Sequence, residues 1–181
     1  KVFGHDFAKG NVFLLIGYYQ STSTCPENRE RFSFSYEPST ISIYLFSGNF
    51  CYYGNQQLWN FNLVKYVWGP IKPTSQIIKE RSGHTNIIYK SKLIIFDGKY
   101  FNNTFSTDVD INNIDTYKWT AGQLNTSIFL KLKRNHIARS VGQQMFIHGG
   151  LDEFGEYLDD EHSLNLSNWW KTFGSTQKND S

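Results

Sequence analysis

Three groups of residues have the types that chemistry needs. The first is the pair Cys25 and Cys51, 26 positions apart, which could close a disulfide or hold a metal. Their spacing matches no metal or redox pattern, and two cysteines are too few for a disulfide framework, so a reducing compartment is expected. The second is the five histidines. None stands in a His-Glu-x-x-His motif, and no Gly-rich phosphate loop accompanies them. The third is an acidic run. Asp152, Glu153, Glu156, Asp159, Asp160 and Glu161 place six carboxylates within ten residues. Calcium would need oxygen ligands at the EF-hand spacing, and Asp-Glu-Phe-Gly-Glu-Tyr-Leu-Asp-Asp-Glu lacks it. The run reads as a solvated loop, or as an acidic patch that would steer a basic partner. No catalytic residue, metal site or cofactor is expected.

The elements that must carry these groups are bounded by composition. The chain has 181 residues, enough for one domain. Lys and Arg total 18 against 16 Asp and Glu, a balance unlike that of a nucleic-acid binder. Aromatics make up 17% and charged residues 19%, the reverse of a disordered chain. The longest apolar-and-glycine run, Val12–Tyr19, has eight residues, far below the roughly 20 that a membrane-crossing helix needs. Lys1, with no secretory pattern ahead of Gly4-His5-Asp6, reads as the start of a processed or partial chain. Sequons stand at Asn102, Asn125, Asn165 and Asn179, but 16 Asn and 29 Ser plus Thr give roughly 2.6 by chance, so they do not argue for secretion. The expected location is the cytoplasm.

Periodicity then selects strands. No segment keeps a helical apolar stripe beyond two turns. Asn11–Ile16, Ile41–Phe46, Lys92–Phe96 and Gln144–His148 are short β-branched or aromatic runs, each closed by glycine within two residues. Leu58–Leu63 alternates apolar and polar, as a half-buried strand does. A repeat organises these runs. Trp68, Trp119 and Trp170 are spaced 51 and 51; Gly48, Gly98 and Gly150 are spaced 50 and 52. Tyr66 and Tyr117 each sit two residues before their tryptophan, and His84 and His136 are 52 apart. Arg31, Arg81 and Arg134 are read as a further equivalent set. Four short strands per period of about 50 residues is the pattern of one propeller blade.

These landmarks resemble the kelch repeat: Arg-x-Gly-His at Arg81–His84, an apolar strand into the diglycine Gly149-Gly150, and a Tyr–Trp pair. Ser47-Gly48 and Asp97-Gly98 keep only the second glycine. The resemblance implies an all-β fold, a partial kelch-type β-propeller of about three and a half four-stranded blades. Its repeats cover residues 29–79, 80–131 and 132–181, with 1–28 as a degenerate partial blade. The tryptophans are expected to wedge between adjacent blades, and His84 and His136 to hydrogen-bond within their own. Closure would need blades from the rest of the chain, another subunit or a covering partner.

The function implied is a non-enzymatic protein-interaction module within a larger assembly, such as a cytoskeletal or ciliary scaffold. The alternatives are a substrate adaptor of a ubiquitin ligase, or a carbohydrate-active or oxidase kelch propeller. For the oxidase type, His148 and His162 are the only loop-side histidines outside the repeat set. Strand alternation places the loops between second and third strands on one face. Those loops are Asn49–Gln57, Lys99–Thr107 and Leu151–Asp159, and they hold eight aromatics: Phe50, Tyr52, Tyr53, Tyr100, Phe101, Phe105, Phe154 and Tyr157. Aromatic anchors dominate protein interfaces. The expected partner-binding residues are Tyr52, Tyr53, Tyr100, Phe101 and Phe154, rimmed by Asp152, Glu153 and Glu156. The partners are other proteins; neither nucleic acid nor a membrane span is expected.

Overall fold

The computed structural model describes residues 25–50, 53–54, 56–75, 78–106, 108–122 and 132–169. In chain order the strands are β1 (Ser33–Glu37), β2 (Ser42–Phe46), β3 (Asn49–Phe50), β4 (Tyr53–Gly54), β5 (Leu58–Asn62), β6 (Val67–Ile71), β7 (Arg81–Ser82), β8 (Thr85–Tyr89), β9 (Lys92–Phe96), β10 (Lys99–Tyr100), β11 (Val109–Asn113), β12 (Lys118–Gly122), β13 (Ile137–Val141), β14 (Gln144–Leu151) and β15 (Tyr157–Asn165). One helical turn, Leu166–Trp169, follows.

The long strands form antiparallel meanders. β1-β2-β5-β6 is the first blade, β8-β9-β11-β12 the second, and β13-β14-β15 the third. Their turns are written locally. Lys90 and Ser91, both at positive φ, close the tight β8–β9 hairpin. The Asn62 side chain accepts from the Val64 and Lys65 amides, and Asn113 does the same for Asp115 and Thr116. Each turn ends on a tyrosine in the left-handed region, Tyr66 or Tyr117, which then feeds the tryptophan strand. Trp68 and Trp119 are both the second residue of the fourth strand. Trp170 and the partial blade expected before residue 25 lie outside the described residues.

The blades stack through two apolar seams. Tyr44, Phe46, Leu58 and Ile71 of the first blade meet Leu93, Ile95 and Trp119 of the second. Ile94, Phe96, Val109 and Ile111 of the second meet Met145, Ile147 and Leu164 of the third. Strand β9 thus sends alternate residues into both seams, which is why Leu93–Phe96 reads as an unbroken apolar run. Burying each such side chain stabilises by about 1.5–3 kcal/mol. The Trp119 ring lies 5.3 Å from that of Phe46, a wedge between blades. Among the described residues the sheets form an open arc and no ring.

Polar staples repeat along the inner rim, where first strands of successive blades lie side by side. His84 shares a 2.6 Å hydrogen bond with the Ser33 hydroxyl, and His136 a 2.8 Å bond with Thr85. Both histidines therefore reach the preceding blade, not their own as the sequence suggested. The reason is register: each sits in the link before a first strand, pressed edge-on to the preceding blade's Phe46 or Phe96. The Gly83 amide donates to the Arg31 carbonyl, and the Asn135 amide to the Gly83 carbonyl, one repeat back each time.

That register corrects the arginine set. Arg31, Gly83 and Asn135 are the true equivalents, all at positive φ. The buried cations are Arg29, Arg81 and Lys133, 52 residues apart, each at most 4% exposed. Each turns toward the start of its own blade's third strand. Arg29 donates to Gln57, Arg81 to Asp110, and Lys133 to both oxygens of Asp160 at 2.7 Å.

Glycine is required at one step per blade. Gly98 has φ +95, and an added Cβ would lie 2.7 Å from the Cβ of His84. The residue before it is also left-handed but varies between blades: Ser47, Asp97, Gly149. Ser47 uses its hydroxyl to bond both the amide and carbonyl of Arg81. Asp97, 6% exposed, keeps Oδ2 without a partner. Burial pushes its carboxyl up to about 7, with Lys133 and Arg81 offsetting only part of the effect.

Candidate partner-binding face

Each loop between second and third strands pairs with the link that opens its blade: Glu30 with Asn49, Ser82 with Lys99, Arg134 with Leu151. Loops and links thereby share one face, as strand alternation demands. Of the expected anchors, Tyr52 lies outside the described residues. Tyr53 belongs to the β3–β4 hairpin.

Tyr100 is held from several sides. Its hydroxyl donates to Asp108 at 2.5 Å and accepts from Ser106 at 3.0 Å and Arg81 at 3.4 Å. Lys79 and Arg81 stand over its ring at 5.3 and 5.1 Å. Its half-buried ring pins the loop to the blade. Burial is the larger cause raising its hydroxyl above the ordinary range. Phe105 is likewise half-buried, with the Lys99 ammonium 5.9 Å from its ring. Phe101 points outward, 51% exposed.

The third blade differs in reach. β14 and β15 have eight and nine residues against five in the equivalent strands of the other blades. They continue past a bulge between His148 and Gly150 and carry a hairpin outward. At its tip Phe154 and Tyr157 are 82% and 89% exposed. Asp152 builds the turn: its carboxylate accepts from the Phe154 and Glu156 amides at 2.9 Å. Glu153 and Glu156 are exposed beside the aromatics.

A cleft of ≈ 270 Å³ opens between link and blade beside Tyr100. Its lining includes Lys79, Arg81, Tyr100, Asp108, Asp110 and Trp119. Burial raises the Asp110 carboxyl, and the Arg81 charge counters it. At the equivalent place in the third blade, burial alone would raise Asp160, but hydrogen bonds from Lys133 and His162 outweigh it and hold the carboxyl below its ordinary range. The Arg81–Asp110 and Lys133–Asp160 ion pairs tie each link to the third strand of its blade. Among the described residues no three His, Cys, Asp or Glu side chains gather as metal ligands. None of their helices is long and apolar enough to cross a membrane.

Sequence reasoning missed Arg29, Lys79, Asp108 and Lys133. The signal for the buried cations was the even 52-residue spacing of Arg29, Arg81 and Lys133, against 50 and 53 for the set first chosen. Lys79 and Asp108 gave no signal, since lone charges at strand ends are ordinary. The family model described as the KLHDC2/KLHL20/DRC7 Kelch-repeats domain matches residues 17–181. No curated protein matches the chain.

Proposed function

Because the chain belongs to the kelch-repeat family, we propose that it is a non-enzymatic protein-interaction module of a larger assembly in the cytoplasm, with a cytoskeletal or ciliary scaffold as the setting. Kelch-repeat domains generally serve as interaction modules. One observation carries the reading to this face: Phe101, Phe154 and Tyr157 stay at least half exposed on the side where loops and links meet. Large aromatics left in water beside a fixed polar framework suit a partner that buries them. The proposed contact also includes Tyr52 and Tyr53, on the sequence reading of that loop. Tyr100 contributes by fixing its loop, and Asp152 by shaping the hairpin tip. Glu153 and Glu156 form an acidic rim that favours a basic partner surface and acts mainly on association rate.

The test is capture of the native assembly by tagged full-length chain, followed by mass spectrometry. Phe101→Ala with Phe154→Ala should lower affinity at least tenfold while the melting curve is unchanged. Unaltered capture by a folded double variant would remove this face from consideration.

A further inference from the structure

The second blade lacks a ring that its two neighbours have. Strand pairing aligns the third strands: Leu58 faces Phe46, Val109 faces Phe96, and Glu161 faces His148. One step on, Trp59, Asp110 and His162 are therefore equivalent. One step back, so are Gln57, Asp108 and Asp160. In the first and third blades a planar ring bonds the residue two before it. The Trp59 indole N–H donates to Gln57 at 2.9 Å, and the His162 ring meets Asp160 at 2.8 Å. Asp110 has neither ring nor N–H, and the Tyr100 hydroxyl donates to Asp108 instead. Strand residues two apart point to one side. The cleft of ≈ 270 Å³ lined by Asp108 and Asp110 thus opens where the other blades place the ring. Arg81 also lines it, 2% exposed, with its Nε–H unpartnered. Asn112, next along that side of β11, is fully buried with neither amide atom partnered, where Phe61 and Leu164 stand in the other blades.

We propose that this cleft takes the indole of a partner protein's tryptophan, supplying in trans the ring that Trp59 supplies within the first blade. The site rests on the interaction-module reading above, since Tyr100 and the link stand on the loop face. Four properties of the lining select the occupant. Its size, just below the roughly 300–1,000 Å³ of small-molecule pockets, suits one large side chain. Ile78, Trp119 and Ala121 give it an apolar wall for the ring. Lys79 and Arg81 balance Asp108 and Asp110, so a neutral ring fits better than a guanidinium or a carboxylate. The exposed Asp108 carboxylate has lone pairs for the indole N–H. An electron-rich face also suits the Lys79 ammonium and the unpartnered Arg81 N–H, and indole offers the strongest such face among the side chains. Tryptophan is a common anchor of protein interfaces. The inserted ring touches β12 through the Trp119, Thr120 and Ala121 side chains, leaving the backbone hydrogen bonds of that strand as they are.

Titrating the full chain with N-acetyl-tryptophanamide, followed by the methyl resonances of Thr120 and Ala121, tests it. Saturable shifts are expected, at least fivefold weaker for the 1-methyl-indole analogue, which has no N–H. Asp110→Trp restores the ring of the first blade and leaves Asp108 to hold Arg81, as Asp160 holds Lys133; it should abolish the shifts of the remaining methyls. Ala121→Phe fills the cleft from an exposed position without touching the ion pair. It should abolish the Thr120 shift and lower affinity for the captured native assembly at least tenfold, with the circular dichroism spectrum unchanged. Shifts that do not saturate, that ignore the missing N–H, or that survive Ala121→Phe overturn the proposal, as does unaltered capture by that variant. Phe101→Ala with Phe154→Ala should leave the shifts intact, so failure of the cleft and failure of the loop-face reading show separately.

Discussion

Replacing His136 with phenylalanine should invert the stability order of variant and parent between neutral and mildly acid pH. His136 is 5% exposed, shares its Nε2 bond with Thr85, and leaves Nδ1 without a partner. Burial, aided by the nearby Lys133 charge, depresses its pKa from 6.5 to about 3. The unfolded chain therefore takes up a proton near pH 6.5 that the native chain refuses until about pH 3. Stability contributed by the neutral ring is complete above 6.5 and is lost as pH falls through that window. At pH 5 the loss amounts to about 2 kcal/mol for this one group. Phenylalanine does not titrate, keeps the edge-on contact with Phe96, and already stands at the equivalent Phe32. Its penalty is the Thr85 bond, about 1 kcal/mol at pH 7.5. The variant should thus be the weaker protein at pH 7.5 and the stronger by about 1 kcal/mol at pH 5, crossing between about pH 5 and 6. Urea unfolding of both proteins across pH 4.5–8 reads this directly, because every other titrating group cancels in the difference. A stability difference that does not vary with pH would mean that His136 titrates normally, and the buried staple would be refuted.

Gly98→Ala should destabilise by about 2 kcal/mol or more, while Gly142→Ala, also at positive φ but with nothing near its Cβ, should cost only about 1; chemical denaturation separates them. Asp97→Ser should stabilise by at least about 1 kcal/mol at pH 8, with the gain shrinking as pH falls through 7 toward 4, since the raised native pKa makes the parent stronger in acid; denaturation at both pH values measures it. Asp160→Asn leaves the fully buried Lys133 ammonium without its carboxylate and should cost about 3 kcal/mol in thermal unfolding. Tyr100→Phe should speed amide exchange across residues 99–106 and leave the blade strands unaffected.

Legibility in the sequence followed the range of the physics. The strand β9 was readable because both faces of Leu93–Phe96 are buried and all four residues are apolar. The tryptophan period was readable because Trp68 and Trp119 occupy one position per blade, set by identical turns. What crosses blades was harder. His84 and His136 looked like residues of their own blades, since sequence shows where a side chain begins but not which neighbour lies 52 residues back. Arg31 and Arg134 drew attention as charges near the link, while Lys133 hid because a lysine rarely fills a fully buried site. Among the anchors, Tyr100 and Phe101 are adjacent and alike in composition. Tyr100 ends β10 and enters the polar cluster, whereas Phe101 opens the turn that the Asn103 amide closes on the Tyr100 carbonyl and is left half exposed, a distinction set by where the strand stops.

The most direct test of the account is hydrogen exchange on the gently isolated native assembly, compared with the free chain. The interaction-module reading predicts new protection at residues 99–106 and 149–158, with β6 and β12 unchanged. Equal exchange in both loops, with protection moved to the outer strands, would contradict it.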